Sequence, residues 1–325
     1  MKFLLLRLSS IGDIVLTSPV VRCLKQQHPD AEIHFLTKRG FEDVVRNNPY
    51  IDAVHLVNDN AIDNELLSNL KEERFDAVID LHHNLRTLKI KRALDVTSFS
   101  FNKLNIEKWL LVNFKMNRMP NVHIVDRYMK TVSSFGVTND DQGLDYFITP
   151  EDERAVDSLP EHFRKKYIAW VVGAAHATKQ LPAAKMISIG KKIKSPIVLL
   201  GGKNDAVLSS TIKNALGENV FDACGNFSLN ESAALVKHAS VVFTNDTGLM
   251  HIAAAFRKKI YSFWGNTVPE FGMYPYLPSS LKTNSAILEV KNLRCRPCSK
   301  IGFDKCPKGH FKCMNEIDEK VFSAL

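Results

Sequence analysis

Short apolar runs that alternate with helical patterns constrain the fold of this chain more than any other feature. The runs that predict strands are Phe3–Leu6, Glu32–Leu36, Ala53–Val57, Ala77–Leu81, Tyr167–Val172, Ile197–Leu200, Val220–Asp222, Val241–Thr244, Ile260–Phe263 and Ile287–Val290. They are nearly continuous in apolar residues, which is typical of parallel sheets covered on both faces. Strand–helix–strand units in both halves predict an α/β fold with two doubly wound domains.

Helical patterns lie between these strands, and a polar stretch separates the two predicted domains. The predicted helices are Val15–Gln27, Ala61–Glu73, Ala183–Ile193, Ala206–Leu216, Asn230–His238 and Leu249–Phe256, with a short one over Asn315–Leu325. The stretch Thr149–Lys166 holds two prolines and a charged cluster, so we predict domains of residues 1–155 and 156–325. Open α/β sheets bind ligands at the carboxyl ends of their strands, which makes polar residues there the candidates.

Composition excludes some classes of protein and leaves others open. The chain has 325 residues, of which 45% are hydrophobic and 24% charged, as in ordinary globular proteins. Its apolar runs are too short to cross a bilayer, and its first residues lack a signal-peptide pattern, so we expect a cytoplasmic protein. A formal charge of +8 favours an acidic partner, either nucleic acid, anionic lipid or a phosphorylated substrate.

The joint after the first strand carries a single carboxylate, Asp13, beside a glycine. The surrounding residues match neither the dinucleotide fingerprint nor the P-loop. One interpretation is that Asp13 is an acidic residue favoured by the dipole at a helix start. The other is that it is a general base aimed at a ligand.

Two further joints offer groups for a phosphorylated ligand. In the stretch from Gly173 to Pro182, small residues precede Thr178 and Lys179, and a lysine suits phosphate oxygens. A solvated loop is the alternative. Asp205, after Gly201 and Gly202, either caps a helix or binds ribose hydroxyls.

The joint Asn245-Asp246-Thr247-Gly248 starts a helix directly after an apolar strand. The first amides of a helix have no intrahelical partners and can bind an anion. His251 follows on the same helical face. The alternative is that Asp246 or Thr247 only caps the helix and that His251 is a structural hydrogen-bonding residue.

Four cysteines lie within nineteen positions near the C-terminus: Cys295, Cys298, Cys306 and Cys313. Four thiolates, or three with His310, are a donor set for tetrahedral structural zinc. Packing cysteines, reduced or disulfide-linked, are the alternative that the irregular spacing favours. The chain contains no Asp-x-Asp, a carboxylate pair that often binds a catalytic metal ion, so we expect no catalytic metal.

The segment from Arg86 to Arg118 contains eight basic and two acidic residues, interleaved with aromatic ones such as Trp109 and Phe114. A solvated helical face is one interpretation. The other is a surface for an anionic ligand and membrane, since basic and apolar groups together bind anionic interfaces. The residues that we assign to this surface, on the N-terminal domain beside Asp13, are Arg86, Lys89, Lys91 and Arg92.

Taken in order, LLLRLSSIGDIVLTSPVVRCLKQQHPDAEI, GAAHATKQLP, LLGGKND and FTNDTGLMHIAAA resemble glycosyltransferase family 9, the ADP-heptose:lipopolysaccharide heptosyltransferases. The resemblance implies a GT-B fold, in which two Rossmann-like domains face each other across a cleft. It implies inverting transfer of heptose from ADP-heptose, bound by the C-terminal domain, to a lipopolysaccharide inner-core acceptor on the N-terminal domain. It implies a cytoplasmic enzyme, peripheral at the inner membrane, which requires no cofactor and binds no nucleic acid.

Carried over residue by residue, the resemblance makes Asp13 the catalytic base and Thr178 and Lys179 contacts of the donor phosphates. The donor-site motif falls on Asp246, Thr247, Gly248 and His251, and Asp205 lies near the acidic ribose contact. The segment from Asp80 to Arg86 departs from the family's Asp-x-Gln-Gly pattern, so the acceptor itself is in question. The rival functions are a nucleotide-sugar epimerase of the same architecture, a family member with another donor or acceptor, and a non-catalytic binder.

Overall fold

The computed structural model describes residues 1–58 and 61–322, which form two compact units. The first consists of Met1–Lys103 with Val122–Phe147, and the second of Leu104–Asn121 with the chain from Ile148 onward. The segment from Arg86 to Arg118 is therefore divided between the units. Our expectation that it lies wholly on the N-terminal domain is wrong, because Leu111 packs against Val268 and Phe271 of the second unit.

Each unit is built on one parallel sheet. The first sheet has the order β3-β2-β1-β4-β5, and its strands are β1 (Lys2–Leu6), β2 (Glu32–Lys38), β3 (Ala53–Val57), β4 (Ala77–Asp80) and β5 (Ser98–Ser100). The second has the order β11-β10-β9-β6-β7-β8, and its strands are β6 (Ile168–Val171), β7 (Ile197–Leu200), β8 (Val220–Asp222), β9 (Val241–Asn245), β10 (Lys259–Trp264) and β11 (Ser285–Glu289).

The α-helices of the described residues connect these strands. In chain order they are α1 (Ile11–Val15), α2 (Ser18–Gln27), α3 (Asn64–Glu72), α4 (Leu85–Leu94), α5 (Asn105–Phe114), α6 (Ile124–Met129), α7 (Pro150–Glu153), α8 (Glu161–Lys165), α9 (Ala183–Gly190), α10 (Ala206–Leu216), α11 (Leu229–His238), α12 (Gly248–Ala255) and α13 (Lys312–Asn315). None of the helices among these residues combines the length and apolar character needed to cross a bilayer.

Buried strands account for the core of each unit. Leu4 on β1, Leu36 on β2 and Val78 on β4 are fully buried in one apolar cluster of the first unit. In the second unit the rings of Trp170 and Phe243 meet edge to face at 5.2 Å between centroids. Because both faces of these strands are covered, their sequences are continuous rather than alternating in apolar residues.

Two predicted helices and one strand differ from the structure. The helix predicted over Val15–Gln27 begins only at Ser18, as α2, and the separate helix α1 ends at Val15 before it. Strand β5 was not predicted, because its sequence Ser-Phe-Ser is not an apolar run. The helix predicted over Asn315–Leu325 is instead α13 followed by a 3-10 turn, Lys320–Phe322, and its last three residues lie outside the described part of the chain.

Candidate active site

The carboxylate of Asp13 is held at the carboxyl end of β1, in the first turn of α1. Arg7 Nη2 lies 2.6 Å from Asp13 Oδ1, and Ser10 Oγ donates a 2.8 Å hydrogen bond to Asp13 Oδ2. The Asp13 side chain keeps 21% of its surface exposed. Asp13 is thus both a helix-start residue and an oriented carboxylate within reach of solvent.

Arg7 is a site residue that the sequence analysis missed. Its guanidinium donates to Ser9 O at 2.8 Å, to Leu81 O at 2.5 Å and to Tyr128 Oη at 3.0 Å, besides its contact with Asp13. Burial acts to lower the pKa of Arg7, but its interactions with Asp13, Tyr128 and Asp80 together outweigh burial, and the pKa is raised. The signal in the sequence was weak: a single arginine directly after an apolar strand, five residues before a glycine–aspartate pair.

His82 follows β4 in the segment that departs from the family pattern. Its backbone amide donates to the buried Asp80 Oδ1 at 3.1 Å. Burial, together with the charge of Arg7, lowers the pKa of His82 to about 4, so the imidazole is neutral at neutral pH. Its Nδ1 is buried and has no hydrogen-bond partner among the described residues. His82 therefore brings a neutral polar ring close to Arg7 and Asp13.

Helix α4 carries the four basic residues assigned to an acceptor and membrane surface, but they do not form one exposed patch. Lys91 Nζ lies 2.9 Å from Asp80 Oδ2, and the side chains are 12% and 0% exposed. Lys91 is therefore the partner of a buried carboxylate and does not belong to the predicted surface. Lys89 and Arg92 are exposed, whereas Arg86 is half-buried.

The second unit places Lys179 and Asp246 together, although they come from different joints. Lys179 Nζ lies 2.7 Å from Asp246 Oδ2, and the same oxygen accepts a 2.9 Å hydrogen bond from Thr267 Oγ1. Both charged side chains are mostly buried, at 16% and 13% exposed. An ammonium has three donors, so this ion pair orients Lys179 without using all of its hydrogen-bonding capacity.

The buried Asn245 side chain connects the end of β9 to the loop after β6. Its Nδ2 donates to Val172 O at 3.0 Å and to Gly173 O at 3.3 Å, and its Oδ1 accepts from Leu181 N at 3.2 Å. One amide therefore fixes both ends of the loop that carries Thr178 and Lys179. Sequence reasoning included Asn245 in its motif but gave it no role.

Asp205 lies against the glycines at the carboxyl ends of β6 and β7. Its Oδ2 accepts a 2.9 Å hydrogen bond from Gly202 N. A Cβ atom at Gly173 would lie only 2.2 Å from Asp205 Oδ2, so this position requires glycine. The carboxylate thus occupies space that a side chain would otherwise fill.

Thr178 and His251 are less available to a ligand than the sequence suggested. Thr178 is 2% exposed, and its hydroxyl exchanges hydrogen bonds with the backbone of Phe303, at 3.0 Å to the oxygen and 2.8 Å from the nitrogen. His251 is 2% exposed within α12. Thr247 and Gly248, at the start of α12, are half-buried, and no side-chain hydrogen bond caps the helix.

The C-terminal cysteines approach one another without forming a disulfide among the described residues. Cys298 Sγ donates to Cys295 O at 3.1 Å, and Cys295 Sγ lies 3.9 Å from His310 Nε2. Burial raises the pKa of the Cys313 thiol to about 12, so that group is protonated at neutral pH. This geometry accords with reduced packing cysteines.

Similar proteins are known by sequence and by structure. The chain is 25% identical over 307 residues to lipopolysaccharide heptosyltransferase 1 of Campylobacter coli, covering 87% of each. A family 9 glycosyltransferase from Veillonella parvula superposes with a TM-score of 0.72, at 24% identity, over 89% of this chain and 86% of that one. The Escherichia coli heptosyltransferase WaaC with ADP-2-deoxy-2-fluoro heptose has a TM-score of 0.66, at 18% identity, over 92% and 96%.

These likenesses confirm the predicted fold class, α/β of GT-B type with two Rossmann-like domains. The model of glycosyltransferase family 9 (heptosyltransferase) matches residues 64–303. That range is most of the chain and contains the joints at Lys179, Asp205 and Asp246. The chain therefore belongs to glycosyltransferase family 9, the heptosyltransferase family.

Proposed function

We propose that this protein transfers heptose from ADP-heptose to an anionic lipopolysaccharide-core acceptor, with inversion at the anomeric carbon. The acceptor binds to the N-terminal domain, residues 1–155, and the donor to residues 156–325. Family membership and the heptosyltransferases among its relatives support this assignment. The observation that carries it is the Asp13 carboxylate, oriented by Arg7 and Ser10 at the carboxyl end of β1.

In this proposal Asp13 is the general base. Its carboxylate removes the proton from the acceptor hydroxyl as that oxygen attacks the anomeric carbon, and the bond from this carbon to the diphosphate oxygen breaks. Arg7 is a positioning residue, because its buried guanidinium fixes the orientation of the carboxylate. The neutral His82 contributes to acceptor binding as an uncharged hydrogen-bonding group.

On the donor side, Lys179 and the first amides of α12 stabilise the charge that gathers on the departing ADP. Asp246 is not itself a phosphate contact, since two anions would repel; it orients Lys179 through their 2.7 Å ion pair. We leave Thr178 out of the phosphate contacts, because its hydroxyl already bonds to the backbone of Phe303. Asp205 is retained as a candidate for the ribose hydroxyls.

The epimerase alternative is not favoured, because the matching family model and the similar curated proteins are heptosyltransferases. An epimerase would convert a free nucleotide sugar and would need no acceptor. A transferase releases ADP only when an acceptor is present. Measuring ADP release from ADP-heptose with and without a lipopolysaccharide-core acceptor therefore separates the two, and acceptor-independent conversion of the sugar would contradict our proposal.

Substituting the base tests the mechanism. Asp13→Asn preserves size but removes the proton acceptor, so we expect kcat to fall about 10²–10⁴-fold with little change in the Kd of ADP-heptose. Asp43→Asn is the matched control, because Asp43 is a largely exposed carboxylate of the same unit, 62% accessible. Turnover of Asp13→Asn close to that of the control would remove Asp13 from the role of base.

We also propose that the enzyme works peripherally at the cytoplasmic face of the inner membrane. Two features support this. On the first unit, Lys89 and Arg92 are exposed on α4. On the second unit, α5 and the chain just after it expose apolar side chains: Ile106 at 72%, Trp109 at 49%, Phe114 at 58% and Met116 at 45%. Basic groups attract anionic headgroups, and exposed aromatic residues insert at the interface.

No catalytic metal or other cofactor enters this mechanism. For the tail we favour reduced packing cysteines over structural zinc, since the spacing of the four cysteines is not that of a standard zinc ribbon. Stoichiometric zinc that remains with the tail cysteines through dialysis would reverse this preference.

A further inference from the structure

A cluster of titratable side chains lies on one face of the first unit's sheet, away from Asp13. His34 is on β2 and His55 on β3, where the register pairs His34 with Ala53 and Leu36 with His55. Glu73 follows α3 and brings its carboxylate to the same place. Asp13, by contrast, follows the carboxyl end of β1, so the cluster has no part in the transfer proposed above.

The three groups lie close enough together for one metal ion to contact all of them. His34 Nδ1 lies 2.8 Å from His55 Nε2 and 3.9 Å from Glu73 Oε2. These ligand atoms all lie within 4.8 Å of one another, and no other histidine, cysteine, aspartate or glutamate group in residues 1–58 and 61–322 meets this criterion. Two imidazoles and a carboxylate are a common ligand set for zinc.

A carboxylate outside the set fixes the orientation of His34. His34 Nε2 bonds to Glu32 Oε1 at 2.8 Å, which leaves Nδ1 directed at His55 and Glu73. Histidines that bind metals usually donate their second ring nitrogen to a carboxylate in this way. The ring of Phe75 packs edge-on against both imidazoles, at 5.2 Å from His34 and 6.2 Å from His55, and limits their rotation.

We propose that His34 Nδ1, His55 Nε2 and Glu73 Oε2 form a binding site for one divalent transition-metal ion, with zinc as the preferred occupant. The ion would join β2 and β3 to the end of α3, and so would stabilise the first unit by mass action. Its coordination replaces the hydrogen bond between the two imidazoles.

The ammonium of Lys2 competes with a metal ion for the Glu73 carboxylate of this site. Its ammonium lies 2.5 Å from Glu73 Oε2 and 3.0 Å from Glu32 Oε1, so a cation at the site must displace it from Glu73. The contact with Glu32 gives the ammonium an alternative partner. The proposal therefore predicts that removing the charge of Lys2 strengthens metal binding, although it removes two ion pairs.

Zinc binding to the full-length protein, measured by calorimetry and by competition with a chromophoric chelator, tests the site. We expect His55→Gln and Glu73→Gln each to weaken one equivalent of Zn²⁺ binding more than about tenfold, and Glu32→Gln to weaken it about 10–100-fold through His34. Lys2→Gln should tighten it. If His55→Gln does not fold, Glu73→Gln still tests the site, because Glu73 follows the end of α3 and keeps 32% of its side chain exposed.

Two controls separate this site from other zinc ligands. His238→Gln removes an exposed histidine and should leave binding unchanged. Cys298→Ser alters the tail and should leave the equivalent that depends on His55 intact. Binding that survives His55→Gln and Glu73→Gln but is lost in Cys298→Ser would overturn the proposal, as would unchanged or weaker zinc binding by Lys2→Gln.

Discussion

The ion pair between Lys179 and Asp246 changes what a substitution at either residue should do. Lys179→Ala removes the charge that we assign to the diphosphate, so we expect weaker binding of ADP and a lower kcat. Asp246→Asn keeps the lysine but releases it from its orienting partner. We expect that variant to lose kcat while the Kd of ADP changes less than in Lys179→Ala. Calorimetry with ADP beside steady-state kinetics distinguishes them, and wild-type affinity for ADP in Lys179→Ala would refute the phosphate role.

The lowered pKa of His82 leads to a prediction about how the free energy of unfolding depends on pH. Its pKa is about 4 in the folded protein and 6.5 ordinarily, so between these values the unfolded chain binds a proton that the folded chain does not. Stability contributed by neutral His82 is therefore complete above pH 6.5 and is lost as the pH falls toward 4. We expect His82→Asn to flatten this part of the curve of unfolding free energy against pH. An unchanged slope relative to wild type would contradict the assigned pKa; the exposed His162→Asn serves as control.

For single residues, the sequence was enough to locate several candidates but not the groups with which they form ion pairs or hydrogen bonds. Asp13, Lys179 and Asp246 could be found, because each follows an apolar strand where parallel sheets bind ligands. Arg7 was missed because a single arginine at a strand end has no distinguishing pattern. The ion pair of Lys179 and Asp246 joins loops that are 67 residues apart, and only the pairing of β6 with β9 brings them together.

Helix α4 shows how one element combines exposed and buried charges. Lys91 neutralises Asp80, whose side chain is completely buried, whereas Lys89 two residues earlier is exposed. Removing one partner of a buried pair costs about 3–5 kcal/mol, whereas a surface change is usually within about 0.5 kcal/mol. We expect Lys91→Met to lower the unfolding free energy by the larger amount and Arg92→Met, at an exposed position of the same helix, by the smaller, in urea denaturation. Equal effects of the two substitutions would show that Asp80 does not depend on Lys91.

The sequence predicted the ends of helices and strands well where all residues of the element are buried. Every strand except β5 was predicted within two residues at each end, because each is a continuous apolar run between polar joints. The break between α1 and α2 could not be predicted, because Leu16 and Thr17 are both buried and fit a helical pattern. The division of the basic segment was also hidden, since α5 joins the second unit through contacts with Val268 and Phe271, more than 150 residues later.

For the whole molecule, the charge of +8 and the exposed apolar side of α5 lead to one prediction about membranes. Lys89→Ser with Arg92→Ser should weaken binding to anionic liposomes and raise KM for the lipid acceptor, more so at low salt, where screening is least. Lys91 is left intact so that folding is not disturbed. Trp109→Ser should weaken liposome binding at every salt concentration, because insertion of an apolar group is not screened.

Two controls apply to this experiment. Lys165→Ser with Lys166→Ser removes the same charge from exposed positions elsewhere, and Val207→Ser removes an apolar group that is 82% exposed on α10. Both should bind liposomes as wild type does. If the control pair weakens binding as much as the α4 pair, membrane attraction is a property of net charge alone. If neither Trp109→Ser nor the α4 pair changes liposome binding, the proposed contact with the membrane is wrong.

The hydrogen bonds of Asn245 also determine at which step the loop after β6 loses its conformational entropy. Because its amide fixes both ends of that loop, the conformational entropy of residues 173–181 is lost as the protein folds rather than as the donor binds. In the mechanism that we propose, the donor therefore meets a preorganised loop, and more of its contact energy is expressed as affinity. A substitution at Asn245 would weaken donor binding although Asn245 is buried behind the loop, and its effect would be found in the entropy of binding.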